Sequence, residues 1–185
     1  MDYSFNTIAD MRSSSYPTYP KTCYVLGYYT IGDGGGGAFF WDESSTADDN
    51  GGTVIKSDNM TTGRWVRIYD ESIPLKAFGL KCDGLTEDTT SLKKLLESFS
   101  NENITITGDI NEKCKLSGKV EIKHPNITFK DCYFYFFDNA NDQGFLVTAN
   151  DTTFYKCTIE GLKKEPDGML RKEQFTSKGQ VPQAV

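Results

Sequence analysis

Apolar and polar positions alternate in short runs through the first seventy residues. The runs are Thr22–Tyr29, Ala38–Asp42, Gly51–Ile55 and Gly63–Tyr69. Glycine and other turn formers bound each one, the pattern of short antiparallel strands. The period then changes from two to 3.6. Leu92, Leu95, Leu96 and Phe99 fall at i, i+3, i+4 and i+7, one apolar stripe of a helix. Glu87 and Asp88 precede it, where negative charge meets the positive end of the helix dipole. Asp88 or Thr86 is the candidate N-cap. Thr7 to Arg12 predicts a second, shorter helix. After Ser100 short β-prone runs resume at Ile104–Thr107, Lys119–Ile122, Ile127–Phe129, Tyr133–Phe137, Phe145–Thr148 and Thr153–Ile159.

These later runs repeat. Asn126-Ile-Thr-Phe-Lys-Asp-Cys-Tyr-Phe134 aligns with Asp151-Thr-Thr-Phe-Tyr-Lys-Cys-Thr-Ile159, so Phe129 matches Phe154 and Cys132 matches Cys157. Asn103-Ile-Thr-Ile106 echoes the same opening one unit earlier. A unit of this length suits one rung of a parallel β-helix, in which like residues stack in an internal ladder. Chance similarity and a β-sandwich are the competing explanations. A first rung leaves backbone groups unpaired and invites aggregation unless covered. The amphipathic helix directly ahead of it is a suitable lid. The expected fold is therefore mainly β: a small N-terminal antiparallel module over residues 1–72, then a capping helix and first β-helix rungs over 73–161. Residues 162–185 read as a charged loop or tail, with a helical turn near Met169–Gln174.

Composition narrows the chemistry. The 185 residues carry a net charge of −6, which argues against general nucleic-acid binding. No apolar run approaches the roughly 18 residues of a membrane span. The N-terminus lacks the apolar core of a signal peptide, so synthesis in a cytoplasm is expected. Five cysteines (Cys23, Cys82, Cys114, Cys132, Cys157) include no Cys-x-x-Cys; they read as buried thiols rather than a zinc site or a dense disulfide framework. Gly32, Gly34 and Gly37 formally match G-x-G-x-x-G, but a strand candidate follows where a nucleotide fold needs a helix. The glycines instead allow positive φ and close backbone approach. No cofactor or metal is expected. The acidic stretches Asp48-Asp49-Asn50 and Asp83–Asp88 lack the spacing of a calcium loop, and His124 has no nucleophile motif beside it.

The order of motifs carries a resemblance. Gly-Asp-Gly-Gly-Gly-Gly-x-Phe-x-Trp-Asp is followed by Asp-Asn-Gly-Gly-Thr-Val-Ile, then Gly-Arg-Trp-Val-Arg, then Ala-Phe-Gly-x-Lys-x-Asp-Gly-x-Thr-x-Asp-Thr. Together they resemble the N-terminal part of bacteriophage tailspikes and of phage proteins with a pectate-lyase-like, right-handed β-helix. The resemblance covers about residues 22–100 and extends weakly to about 161. It departs at Leu80, where a small residue is common, and at Cys82, where Gly is usual. It implies a virion protein, a homotrimer joined through its N-terminus to a phage tail or baseplate protein and facing bacterial surface polysaccharide. Relatives are longer, so the chain reads as an N-terminal fragment or a naturally short version.

The first functional expectation is a structural and adhesive part of a tailspike without its own active site. The alternative is a capsular polysaccharide depolymerase, a lyase or glycoside hydrolase. Glycoside cleavage commonly uses two carboxylates at a set separation, and the candidates are Asp138, Asp142 and Glu160. Asp138 and Asp142 equally suit turn formation in a solvated loop. Tyr133, Tyr135 and Phe137, with Trp41 and Trp65, are candidate contacts to sugar rings or to a neighbouring chain.

Overall fold

The computed structural model describes residues 3–14, 21–137, 144–164 and 170–176. The chain divides into two compact units, Met1–Gly79 and Leu80–Val185.

The first unit is a twisted sheet with a helix against it. Its elements are β1 (Ser4–Phe5), α1 (Ile8–Ser13), β2 (Thr22–Val25), β3 (Gly37–Asp42), β4 (Val54–Lys56), β5 (Arg64–Ile68) and β6 (Ser72–Pro74). The sheet order is β1-β2-β3-β5-β4. All of its pairs are antiparallel except the two-residue β1 beside β2. Alternation buries one face: Cys23, Val25, Phe39, Trp41, Ile55 and Trp65 pack with Phe5, Ile8 and Met11. Thr7 starts α1 with a capping box, its side chain accepting from Asp10 N while Asp10 returns a bond to Thr7 N.

The second unit is a parallel β-helix. A loop leads into α2 (Thr89–Glu97), followed by β7 (Ile104–Thr107), β8 (Lys113–Leu116) and β9 (Lys119–Ile122). The next rung is β10 (Ile127–Lys130), β11 (Tyr133–Phe136) and β12 (Gly144–Val147), and a third opens with β13 (Thr153–Tyr155) and β14 (Thr158–Lys164). Corresponding strands pair in parallel: β7 with β10 and β10 with β13, β8 with β11 and β11 with β14, β9 with β12. Phe129 sits in register with Phe154, as the repeat requires. Corner residues repeat too. Asn126 and Asp151 (φ 64° and 57°), then Asp131 and Lys156 (φ 56° and 51°), take left-handed backbone at equivalent points. Non-glycine residues rarely do so, and Asn and Asp tolerate it best.

The lid is present. Leu92, Leu95, Leu96 and Phe99 are buried, and α2 packs against β9. The loop before it lines the edge of β8: Gly84 N donates to Lys113 O and Asp88 N to Lys115 O. Ser117 N donates to Thr89 Oγ1 at 2.8 Å. Backbone groups that a first rung would leave bare are thereby satisfied.

Three features differ from expectation. Lys113–Leu116 is a strand that the periodicity did not mark. The run Thr153–Ile159 is two strands, broken at Lys156 by its left-handed turn. The segment expected as loop or helical turn contains β15 (Leu170–Thr176), antiparallel to β14.

Candidate functional site

Two places concentrate charged and aromatic side chains, one in each unit. In the first, Arg67 of β5 points inward beside Phe39, its register partner, with the guanidinium carbon 4.5 Å from the ring centre. Among the described residues, its hydrogen-bond partners are backbone carbonyls and include no carboxylate. Its Nε donates to Gly52 O at 2.9 Å, Nη1 to Gly36 O at 2.5 Å, and Nη2 to Gly35 O at 3.0 Å and Ala77 O at 3.4 Å. Burial pulls this guanidinium down to about 10. The glycine run is thus a carbonyl cradle for an internal arginine, not a phosphate cradle. Asp33 shapes the same run, its carboxylate accepting from the backbone N–H groups of Tyr28, Tyr29, Thr30 and Gly35. A Cβ on Gly36 would lie 2.3 Å from Val25 O, so close approach excludes any other residue there.

The acidic stretches are loop organisers too. Asp49 forms a bidentate pair with Arg12 and accepts from Gly51 N and Lys56 N. Asn50 Oδ1 accepts from Gly52, Thr53 and Val54. Asp83 accepts from Leu85 N and Thr86 N, at the turn ahead of the lid. Trp41 and Trp65, expected as outward contacts, are a correction: both are buried at 5% and 1% exposure, ring centres 5.3 Å apart. The β3–β5 register places them opposite each other on the core face.

In the second unit the outward face of β8, β11 and β14 carries the candidate strip. Register places Lys113 beside Tyr133 beside Thr158, and Lys115 beside Tyr135 beside Glu160. Lys113 Nζ lies 4.8 Å from the Tyr133 ring centre and 4.7 Å from that of Tyr135; Lys115 Nζ lies 4.2 Å from that of Phe137. All three aromatics are half-buried. Glu160 is buried at 4% exposure; its Oε2 accepts from Lys113 Nζ at 3.1 Å and from the Tyr133 hydroxyl. Tyr133 and then Glu160 hold the Lys113 ammonium above its usual range. Such a strip offers ring faces for stacking and a charged rim for hydrogen bonds. Asp138 and Asp142 lie outside the described residues, so no pairing of either with Glu160 is placed.

The cysteines divide. Cys23, Cys132 and Cys157 are buried free thiols, as expected. Cys132 and Cys157 occupy equivalent corners; contact with Cys157, then burial, hold the Cys132 thiol far above its ordinary range. Burial raises Cys23 to about 12. Cys82 and Cys114 are a correction, joined in a disulfide across 32 residues. The lid loop brings them together, a proximity that linear spacing does not reveal. Cys82 has φ 47°, left-handed backbone suited to glycine. Beside them Asp88, the α2 N-cap, is buried and accepts from Lys81 N at 2.7 Å and Cys82 N at 3.0 Å. Burial raises its carboxyl against those bonds. His124 lines a cleft of about 240 Å³ against α2, with Lys93, Lys119, Lys123 and Glu97. Among the described residues no helix is long and apolar enough to cross a membrane.

Comparison with known proteins adds identity to this geometry. Residues 4–70 match the family described as the phage tail protein small four-stranded β-sheet domain. No curated protein sequence matches the chain. Among solved structures, the chain is similar to the tailspike protein of Acinetobacter baumannii bacteriophage Fri1, a capsular polysaccharide depolymerase. Identity there is 14% and TM-score 0.60, covering 86% of this chain and 38% of that one. It is similar to the enzymatically active domain of bacteriophage CBA120 tailspike protein 2, at 19% identity and TM-score 0.51, covering 82% and 26%. It is also similar to Pantoea stewartii WceF, a glycan biofilm modifying enzyme with a tailspike-like parallel β-helix, at 14% and 0.53, covering 83% and 28%. The chain therefore spans well under half the length of each of these structures, and the likeness to them is one of fold. With a phage tail β-sheet domain at residues 4–70 and a capped parallel β-helix after it, the chain has the fold of a tailspike N-terminal portion.

Proposed function

We propose that the chain serves as the N-terminal part of a phage tailspike, a structural and host-adhesion protein of the virion. The carrying observation is the succession within one chain of the phage tail β-sheet domain and a capped parallel β-helix. In this reading the first unit attaches to a tail or baseplate protein and holds three copies together. The β-helix faces bacterial surface polysaccharide, and the chain is made in the host cytoplasm before assembly. The outward strip of Tyr133, Tyr135 and Phe137, rimmed by Lys113 and Lys115, supplies ring faces and charge for a sugar chain. Glu160 is engaged by Lys113 and Tyr133, which favours adhesion over cleavage at this point.

Light scattering on the purified chain tests the assembly and is expected to return the mass of a trimer; a clean monomer at high concentration would overturn it. Retention on immobilised capsular polysaccharide tests adhesion. Tyr135→Ala should reduce retention severalfold, and retention indifferent to that change would remove the strip from the proposal.

A further inference from the structure

We propose that Cys82, Asp88 and Cys114 form a binding site for a thiophilic divalent cation, zinc by its ligand chemistry, when the disulfide is reduced. The three side chains come from separate parts of the second unit: the loop ahead of α2, its N-cap and strand β8. One ligand atom from each lies within 4.8 Å of the others. All three residues are buried, at 5%, 2% and 1% exposure. Tetrahedral zinc holds thiolate sulfur at about 2.3 Å and carboxylate oxygen at about 2.0–2.2 Å. Ligand atoms around it therefore stand roughly 3.5 Å apart, a separation inside the 4.8 Å that bounds the three ligand atoms here.

The parts differ usefully in rigidity. Cys114 stands on a strand held by β11, whereas Cys82 stands in a loop and can adjust. Asp88 is already aimed. Lys81 N and Cys82 N fix its carboxylate while each oxygen keeps a lone pair for a metal. Among the described residues its carboxylate meets backbone N–H groups and no cationic side chain. Two thiolates and a carboxylate around a divalent ion suit zinc rather than calcium or magnesium, which take oxygen ligands.

The chemistry balances. Two equivalents of a small thiol reduce the Cys82–Cys114 bond, giving two protein thiols and one small-molecule disulfide. Zinc then binds and displaces two protons from those thiols. Oxidised glutathione reverses the sequence: it takes two electrons, leaves as two thiols, and zinc departs as the protein S–S bond re-forms. In both states the lid loop stays tied to β8, by a covalent bond or through a metal. The edge of the first rung is then covered in reducing and oxidising surroundings alike.

The test titrates cobalt(II), a spectroscopic stand-in for zinc, into the phosphine-reduced full chain. One equivalent should produce a thiolate-to-cobalt charge-transfer band and the intense visible bands of tetrahedral cobalt. Cys82→Ser and Cys114→Ser should abolish them, Asp88→Asn should weaken binding tenfold or more, and Cys132→Ser should retain them. Oxidised glutathione should bleach the wild-type bands. Absence of the charge-transfer band in reduced wild type, or its survival in Cys82→Ser, would overturn the proposal. A second measurement needs no variant: zinc bound to wild type should fall from one per chain when reduced to none when oxidised. Equal zinc in the two states would also overturn it.

Discussion

The ring of Phe154 lies over that of Phe129, centres 5.0 Å apart and planes 16° from parallel. The two residues are one rung apart and in backbone register. Phe145 and Phe134 close around them, with centres 5.3 Å from Phe154 and 5.4 Å from Phe129 respectively. Each ring covers apolar surface that a single rung would leave exposed. Phe154→Ala removes one member of this stack and leaves a cavity in a close-packed interior, costing about 3–5 kcal/mol. Urea denaturation followed by far-ultraviolet circular dichroism should show that loss. A change below about 1 kcal/mol would show that the stack is not closed in solution.

Arg67→Lys keeps the charge and loses the fork that spans four carbonyls. A loss of about 2–4 kcal/mol is expected for the first unit, since buried carbonyls lose charged donors. The chain has two tryptophans, Trp41 and Trp65, both within that unit, so their fluorescence follows its unfolding. A fluorescence midpoint unchanged by the substitution would refute the cradle.

Gly36→Ala and Gly118→Ala separate close approach from backbone strain. At Gly36 the new methyl would strike the Val25 carbonyl. At Gly118 it would meet open space, with φ at 59°. The first change should prevent the first unit from accumulating in folded form. The second should cost about 1 kcal/mol, the price of left-handed backbone without glycine. Equal thermal stability of the two variants would contradict this account.

Acid should act on Asp49 and Asp88 in opposite directions. Burial raises the Asp49 carboxyl, but Arg12 and two backbone donors outweigh it and hold it below the ordinary value of 3.8. Its contribution to stability is complete above 3.8 and is lost as pH falls through the lower folded value. Asp88 is raised, so its ionised form costs stability at neutral pH. That cost disappears as pH falls through the raised folded value toward 3.8. Asp49→Asn should flatten the acid loss seen by tryptophan fluorescence below pH 3.8. Asp88→Asn should flatten the rise in stability, seen by circular dichroism, on acidifying from neutrality toward 3.8. Acid profiles identical to wild type in both variants would count against these assignments.

The strands most legible in the chain were those with clean alternation. Ile104–Thr107 and Lys119–Ile122 have the bounds that periodicity predicts. β8 was hidden because its outward positions are lysines, whose ammonium groups lie over tyrosine and phenylalanine rings of the next rung. Aromatic residues fall on both faces of β3, at Phe39, Phe40 and Trp41, so strand pattern alone does not assign Trp41 or Trp65 to the core face. Which face is the core depends on α1 and the sheet register, neither of which is local. Glu160 is visible in the sequence as a carboxylate, while its partners arrive from strands 47 and 27 residues away.

Sequence alone determined the period of the coil, the Phe129–Phe154 and Cys132–Cys157 correspondences, the amphipathic lid and the glycine-rich module ahead of it. These are local or repeating patterns, and backbone geometry converts each directly into a helix, strand or turn. Tertiary structure alone decided that the glycine carbonyls enclose Arg67, that Cys82 meets Cys114 beside Asp88, and that Lys113, Tyr133 and Glu160 share one face. Those meetings join residues far apart in the chain, and distance in space is set by how rungs stack and loops close, which spacing along the chain does not encode.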